Sequence, residues 1–254
     1  MFNIPSFFGF RAGGGFDSDY QAVLNYAATV PSCTLPSAGQ QVKQNTLVVD
    51  LKSAGVWSKL DTLRVYATDG NSIFALIDWK RLALCTPSSS PTFTTNQGYQ
   101  GNGTSSFIDT GFNPNTVVGA NNYKLTNASV GCWVFTTGTN GMTGANNSGN
   151  LSLRNTSSGQ HRINSGNIVT TVDLTGTGLK CANKTSSINY TFFNNLTATS
   201  GTTNSSDVND NLTDLKAIGT LFFSGRISIA YGGASLVSEH TNLYNALNTY
   251  MTSL

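Results

Sequence analysis

Residues 128–136 read ASVGCWVFT, and both sets of alternate positions are apolar: Val130, Cys132 and Val134 on one side, Trp133 and Phe135 on the other. A strand written this way is covered on both faces. Other segments also carry the period of two that marks strands. Leu63 and Val65 alternate with polar neighbours, and Phe74, Leu76 and Asp78 alternate with Ala75, Ile77 and Trp79. Downstream, 105–112, 168–174, the trio Ile188, Tyr190 and Phe192, 215–223 and 226–231 complete the set, the last with Ile227, Ile229 and Tyr231 facing one way. Asp69-Gly70-Asn71 suits a hairpin, Asn194-Asn195 suits a turn tolerant of left-handed angles, and the Pro87 to Pro91 stretch reads as a linker between sub-regions.

Ahead of residue 62 the period is helical. Phe16, Tyr20, Val23, Leu24 and Ala27 form one stripe, with Asp17 or Ser18 as cap. Ser37 caps a second helix carrying Val42, Leu47, Leu51 and Ala54 inward and ending at Gly55, and Val56, Trp57 and Leu60 add a further turn. Leu243, Leu247, Tyr250 and Met251 predict a closing helix, with Ser238 as cap and Glu239 in its first turn. The expected organisation is a docking tail over 1–15, a helical region over 16–61 and a lectin-like sandwich over 62–254. The expected fold class is mainly β: an antiparallel jelly-roll sandwich with a short helical N-terminal region and a C-terminal helix.

Charged residues are only 10% of the 254, the formal net charge is +2, and no Lys/Arg cluster occurs. Nucleic acid is therefore not an expected partner, because phosphate binding depends on concentrated positive charge. No apolar run approaches bilayer-spanning length, and no secretion signal is visible. Cys33, Cys85, Cys132 and Cys181 lie too far apart in sequence for a zinc or redox motif and read as buried free thiols. No cofactor is expected. At the N-terminus, Phe2, Phe7, Phe8 and Phe10, with Arg11, precede Gly13-Gly14-Gly15. Such a tail either docks its rings into a partner or folds them onto its own domain.

Catalytic groups are sparse. Glycoside cleavage ordinarily uses two carboxylates, and Glu239 is the chain's single glutamate. The expectation is accordingly that the chain is not an enzyme. Asp207, Asp210 and Asp214 are the one local acidic cluster, a solvated loop or at most a weak cation site. His161 and His240 follow no nucleophile elbow, and the glycines of 138–144 lack the Lys-Ser/Thr ending of a phosphate loop and read as turns.

Five segments carry a resemblance to the concanavalin A-like, laminin-G-like jelly rolls of bacteriophage virion proteins, of fibre, spike or head-decoration type in phages of Bacteroidetes-like hosts. GYQGNGTSSFIDTGFNP (98–114) is similar to that family's strand and turn, ASVGCWVFTTGT (128–139) to its central strand, and INYTFFNNLT (188–197) to its hairpin. RISIAYGGASLVSEHTNLYNALNTYM (226–251) resembles the last strand and closing helix, and residues 35–70 resemble the helical lead-in. Asn194-Asn195-Leu196 departs from the Asn-Gly that many relatives carry. The resemblance implies a virion surface structural protein, made in the host cytoplasm and anchored through Phe2, Phe7, Phe8, Phe10 and Arg11. It also implies other virion proteins as partners, host surface glycans as a further partner class, and a homo-oligomer. The alternatives are a free carbohydrate-binding module and a divergent glycan hydrolase.

Overall fold

The computed structural model describes residues 15–115, 121–145, 149–157 and 160–254. The tail residues Phe2, Phe7, Phe8, Phe10 and Arg11 lie outside them. Among the described residues, ten strands form a large antiparallel sheet. Its main order is β13 (Thr197–Thr202), β12 (Asn189–Asn194), β11 (Gly178–Lys184), β8 (Ala128–Thr136), β15 (Arg226–Gly233), β1 (Leu60–Val65), β2 (Ile77–Asp78) and β3 (Ala83–Leu84). β6 (Gly98–Gln100) also pairs with β15, and β5 (Thr92–Thr94) pairs with β6. A second sheet has the order β10 (Ser152–Arg154), β9 (Gly141–Ala145), β14 (Leu212–Asp214), β7 (Phe107–Asp109), β4 (Thr86–Ser88). Helices α1 (Ser18–Thr29), α2 (Ala38–Ser53), α3 (Ser72–Ala75) and α4 (His240–Ser253) complete the fold.

The doubly apolar strand shows how the layers arise. β8 lies between β11 and β15, and its Val130, Cys132 and Val134 face a core shared with Ile108, Met142, Leu153 and Leu212 of the second sheet. Trp133 points the other way, into a core with Tyr20 and Val23 of α1, Leu47 and Leu51 of α2, and Leu243 and Leu247 of α4. The protein is thus a two-sheet sandwich whose larger sheet is roofed by helices. The predicted boundary at 61/62 falls inside β1, so the helical region continues directly into the sheet that it covers.

Buried polar contacts tie the roof down. Gln44 is fully buried; it accepts from Tyr20 Oη at 2.7 Å and donates to Thr68 Oγ1 at 3.1 Å. Tyr250 Oη donates to the Ala67 carbonyl at 2.6 Å and accepts from Gln40 at 2.8 Å. This arrangement corrects the expected face of α2: Gln40 and Gln44 turn inward with Leu47 and Leu51, leaving Val42 58% exposed on the far side. Gly55 ends α2 as expected, at φ +70, with Val56 N–H returning to the Leu51 carbonyl.

Between the sheets lies an ion pair with no exposure to water. Arg64 of β1 places Nε and Nη2 each 2.9 Å from Oδ2 of Asp214 on β14, and Tyr66 Oη donates to the same oxygen at 2.6 Å. Burial works against the Arg64 charge, but the Asp214 carboxylate beside it prevails and holds the guanidinium protonated. Burial, reinforced by Asp214, pushes the Tyr66 phenol well up, so it remains a donor. Arg64 Nη1 also donates to Thr62 Oγ1, whose hydroxyl donates to buried Asp78. Asp78 Oδ1 in turn accepts the N–H groups of Leu63 and Lys80.

Several expected elements differ. Residues 72–75 form a helical turn in place of a strand, because Asn71 caps the Phe74 N–H at 3.0 Å while Asp69 binds Ser37; no hairpin forms there. The alternation expected over 168–174 does not hold: Val169, Val172 and Leu174 are buried while Thr170 and Thr171 are both exposed, and the segment forms no strand, its backbone meeting His161 at Val169 and Thr156 at Leu174. The strand expected at 215–223 lies earlier, at 212–214, and Leu215 leaves it at φ +65. Ile227, Ile229 and Tyr231 do not share a face: a bulge opposite Val134 and Trp133 of β8 sends Ile227 between the sheets and the other two under the helices. Ser238 does not cap α4; it donates to Glu239, which pairs with Lys59 at 2.8 Å. The Pro87–Pro91 stretch carries the chain from β4 in one sheet to β5 in the other.

Two outcomes test this packing. Arg64→Met or Asp214→Leu alone should cost about 3–5 kcal/mol in urea denaturation, since each strands a buried charge, whereas the double variant should recover most of that loss. Of the four thiols, Cys85, Cys132 and Cys181 are buried and Cys33 is half-buried. A thiol reagent should therefore react first at Cys33, and with the other three only after unfolding.

Candidate functional site

The densest set of titratable side chains, Arg64, Tyr66, Asp78 and Asp214, is sealed between the sheets, each with 0% exposure. Its chemistry is spent on joining them. The acidic cluster is thereby dispersed: Asp214 belongs to the buried pair, Asp207 is exposed in a loop and Asp210 is half-buried. Among the described residues, no group of three or more His, Cys, Asp or Glu side chains is placed to hold a metal ion.

Accessible concavities lie elsewhere. A cleft of about 440 Å³ opens between the 167–171 loop and the hairpin of β12 and β13. One wall carries Asn167, Ile168, Thr170 and Thr171; the other carries Ile188, Tyr190, Thr202, Thr203 and Asn204. A second cleft, about 810 Å³, runs past Lys59, Asn127, Thr185–Ser187 and Ser235, and a smaller groove of about 130 Å³ lies between α2 and α4. The first joins the Tyr190 ring to two strongly exposed aliphatic side chains, Ile168 at 44% and Ile188 at 47%; the groove between α2 and α4 carries Tyr250 and exposed Val42 but is less than a third of its volume.

Local sequence explains why that cleft stands open. Asn195, at φ +55, turns β12 back along β13, and in this hairpin Tyr190 faces Gly201. A Cβ on Gly201 would lie 2.3 Å from Tyr190 Oη, so only glycine lets the ring lie across its neighbour. The ring also meets Phe192 edge-on, with centroids 5.4 Å apart. Backbone bonds fix the walls: Thr203 N–H to the Ile188 carbonyl at 2.7 Å, and Val169 N–H to the His161 carbonyl at 2.9 Å. Ser165 and Thr203 hydroxyls meet across the base at 2.6 Å, joining the loop to the hairpin.

His161 is the pin beneath the loop. Its Nδ1 accepts the Arg154 N–H at 3.3 Å, so Nε2 carries the proton and donates to the Val172 carbonyl at 3.1 Å. Burial lowers its pKa to about 4, and the ring stays neutral. His240 is likewise lowered by burial; its Nε2 donates to the Asn195 carbonyl at 2.6 Å, and its ring stacks on Phe193 at 3.5 Å. His161 fastens the loop and His240 the hairpin; the one thiol beside them, Cys181, whose Sγ lies 3.7 Å from His240 Nδ1, is buried.

No protein-family model matches the chain, and no curated protein sequence does. Among solved structures, it is similar to a mutant of Trypanosoma rangeli sialidase displaying trans-sialidase activity, with TM-score 0.52 and 10% identity, over 92% of this chain and 38% of that one. The chain thus spans well under half of that protein's length. It is also similar to domain 4 of AbnA, a GH43 extracellular arabinanase from Geobacillus stearothermophilus in complex with arabinotriose, with TM-score 0.45 and 17% identity, over 73% of this chain and 98% of that one. The first of these establishes a shared β-sandwich fold.

That likeness corrects the expectation that the chain is not an enzyme. A glutamate count tests for one arrangement of paired carboxylates, and glycosidases with a tyrosine nucleophile escape it. The fold itself occurs in a chain with trans-sialidase activity, so the negative expectation does not stand. The cleft residues Asn167, Thr170, Thr171, Thr202 and Asn204 were not singled out by sequence reasoning. Their one signal was the run of Asn and Thr flanking Ile188 and Tyr190.

The depressed histidine gives a pH test. His161 is neutral when folded down to about pH 4 but titrates near 6.5 when unfolded, so the unfolded chain binds the extra proton between those values. Stability should be intact above about pH 6.5 and fall as pH drops towards 4, by up to about 3 kcal/mol from this residue. His161→Gln should flatten that slope in thermal melts while lowering the plateau.

Proposed function

We propose that the chain is a carbohydrate-binding β-sandwich module whose ligand occupies the cleft between the 167–171 loop and the β12–β13 hairpin. One observation carries this reading: exposed Ile168 and Ile188 and the Tyr190 ring share one concave surface with the amides of Asn167 and Asn204 and the hydroxyls of Thr170, Thr171 and Thr202. Sugar rings lay C–H faces on such apolar surface, and their hydroxyls exchange hydrogen bonds with amides, which donate and accept at once. The fold shared with a sialidase chain supports the same class of ligand.

A glycan array followed by calorimetry tests the proposal. Binding to at least one oligosaccharide is expected, and the double variant Asn167→Ala/Asn204→Ala should weaken it about tenfold, or ~1.4 kcal/mol. Absence of binding at millimolar ligand, or full binding by the double variant, overturns the assignment. The same preparation should be assayed for release of reducing sugar, which separates binding from turnover.

A second reading rests on the motif resemblance at 98–114, 128–139, 188–197 and 226–251. On it, we propose that this module is displayed on a phage particle, held through residues 1–15 to other virion proteins. Mass spectrometry of purified particles is expected to find the chain, and its absence from them removes this reading.

A further inference from the structure

We infer that the cleft selects uncharged saccharides and discriminates against those bearing a carboxylate, such as sialic and uronic acid residues. This rests on the proposed glycan site and adds the class of sugar that it takes. The cleft is lined by Asn167, Asn204, four threonines, three aliphatic residues and Tyr190, and no charged side chain is among them. A carboxylate entering it would give up part of its hydration and meet amides and hydroxyls in place of a cation.

Two basic groups nearby are committed elsewhere. Lys184, the cross-strand neighbour of Tyr190, is fully buried behind the wall, where its ammonium donates to the Thr203 carbonyl. Burial lowers its pKa from the ordinary lysine range. Arg162 donates through Nη1 to the Gly149 carbonyl, and it is not part of the lining. The surface that a ligand touches therefore offers hydrogen bonds and apolar contact without charge. Such a site favours a neutral ring because it pairs each sugar hydroxyl while leaving a carboxylate uncompensated.

The test is calorimetry on the full chain with three matched pairs: lactose against sialyllactose, oligogalactose against oligogalacturonate, and oligoglucose against oligoglucuronate. Within any pair that binds, the neutral member should bind at least tenfold more tightly. Thr171→Arg, which puts a cation on the exposed rim, should narrow or reverse that preference while the thermal melt is unchanged. A carboxylated member that binds as tightly as its neutral partner overturns the inference and leaves the glycan site standing. If that binding is lost in Lys184→Met, the buried ammonium is identified as the anion's partner, again overturning it. Failure of every glycan on the array and in these pairs overturns the site reading itself, and the charge preference with it.

Discussion

A guanidinium cut off from water must be answered by a negative charge nearby, and here the answer comes from the opposite sheet. Arg64 and Asp214 stand 150 positions apart in the chain and meet at 2.9 Å between the layers. Tyr66 and Thr62 take up further hydrogen-bonding capacity, and Asp78 extends the network to the corner where β1 hands over to β2. Apolar side chains hold the sheets together without fixing how they slide or turn, since hydrophobic contact is non-directional. A directional pair at the centre supplies that missing constraint. The relative placement of the cleft walls inherits it, because the hairpin belongs to the large sheet while the 167–171 loop follows the smaller sheet's β10.

The layered architecture was legible wherever one residue type decided the matter. The two apolar faces of 128–136 require cover above and below, and both covers exist. Asp17, Ser37, Gly55 and Asn195 each perform the cap or turn that their chemistry favours. Legibility failed where a pattern had two physical solutions. The alternation through 72–79 suits a strand until Asn71 caps the Phe74 amide. Residues 168–174 carry an alternating sequence pattern, yet a strand needs a continuous partner, and this segment's backbone meets separate neighbours at Val169 and Leu174 with no ladder between them. On α2, glutamines occupy buried positions because partners 24 to 210 residues away satisfy them, and no local pattern announces that.

The candidate site was legible only in composition. Asn- and Thr-rich stretches flank Ile188 and Tyr190, but their assembly into one concave surface depends on a strap threading back over a hairpin, held by Val169, His161, Ser165 and Thr203. Asp207, Asp210 and Asp214 show the opposite failure. Proximity in sequence suggested a shared role, whereas β14 draws Asp214 into the interior as the partner of a residue far upstream. The count of glutamates misled for a related reason: it addressed a particular catalytic arrangement, while the fold is shared with a sialidase mutant displaying trans-sialidase activity.

One irregularity in β15 reaches further than its size suggests. Two of its residues stand against one of β8 at Ser228, so Ile227 is delivered to the space between the sheets while Ile229 and Tyr231 serve the helical roof. A single strand thereby supplies both cores, and the extra residue is what changes over between them. Among descendants of this chain, residues 226–233 are free to exchange one apolar side chain for another of similar volume but are held to their number. Gain or loss of one position there would swap every downstream side chain between compartments, so variation in length should accumulate in the turns and leave this strand untouched.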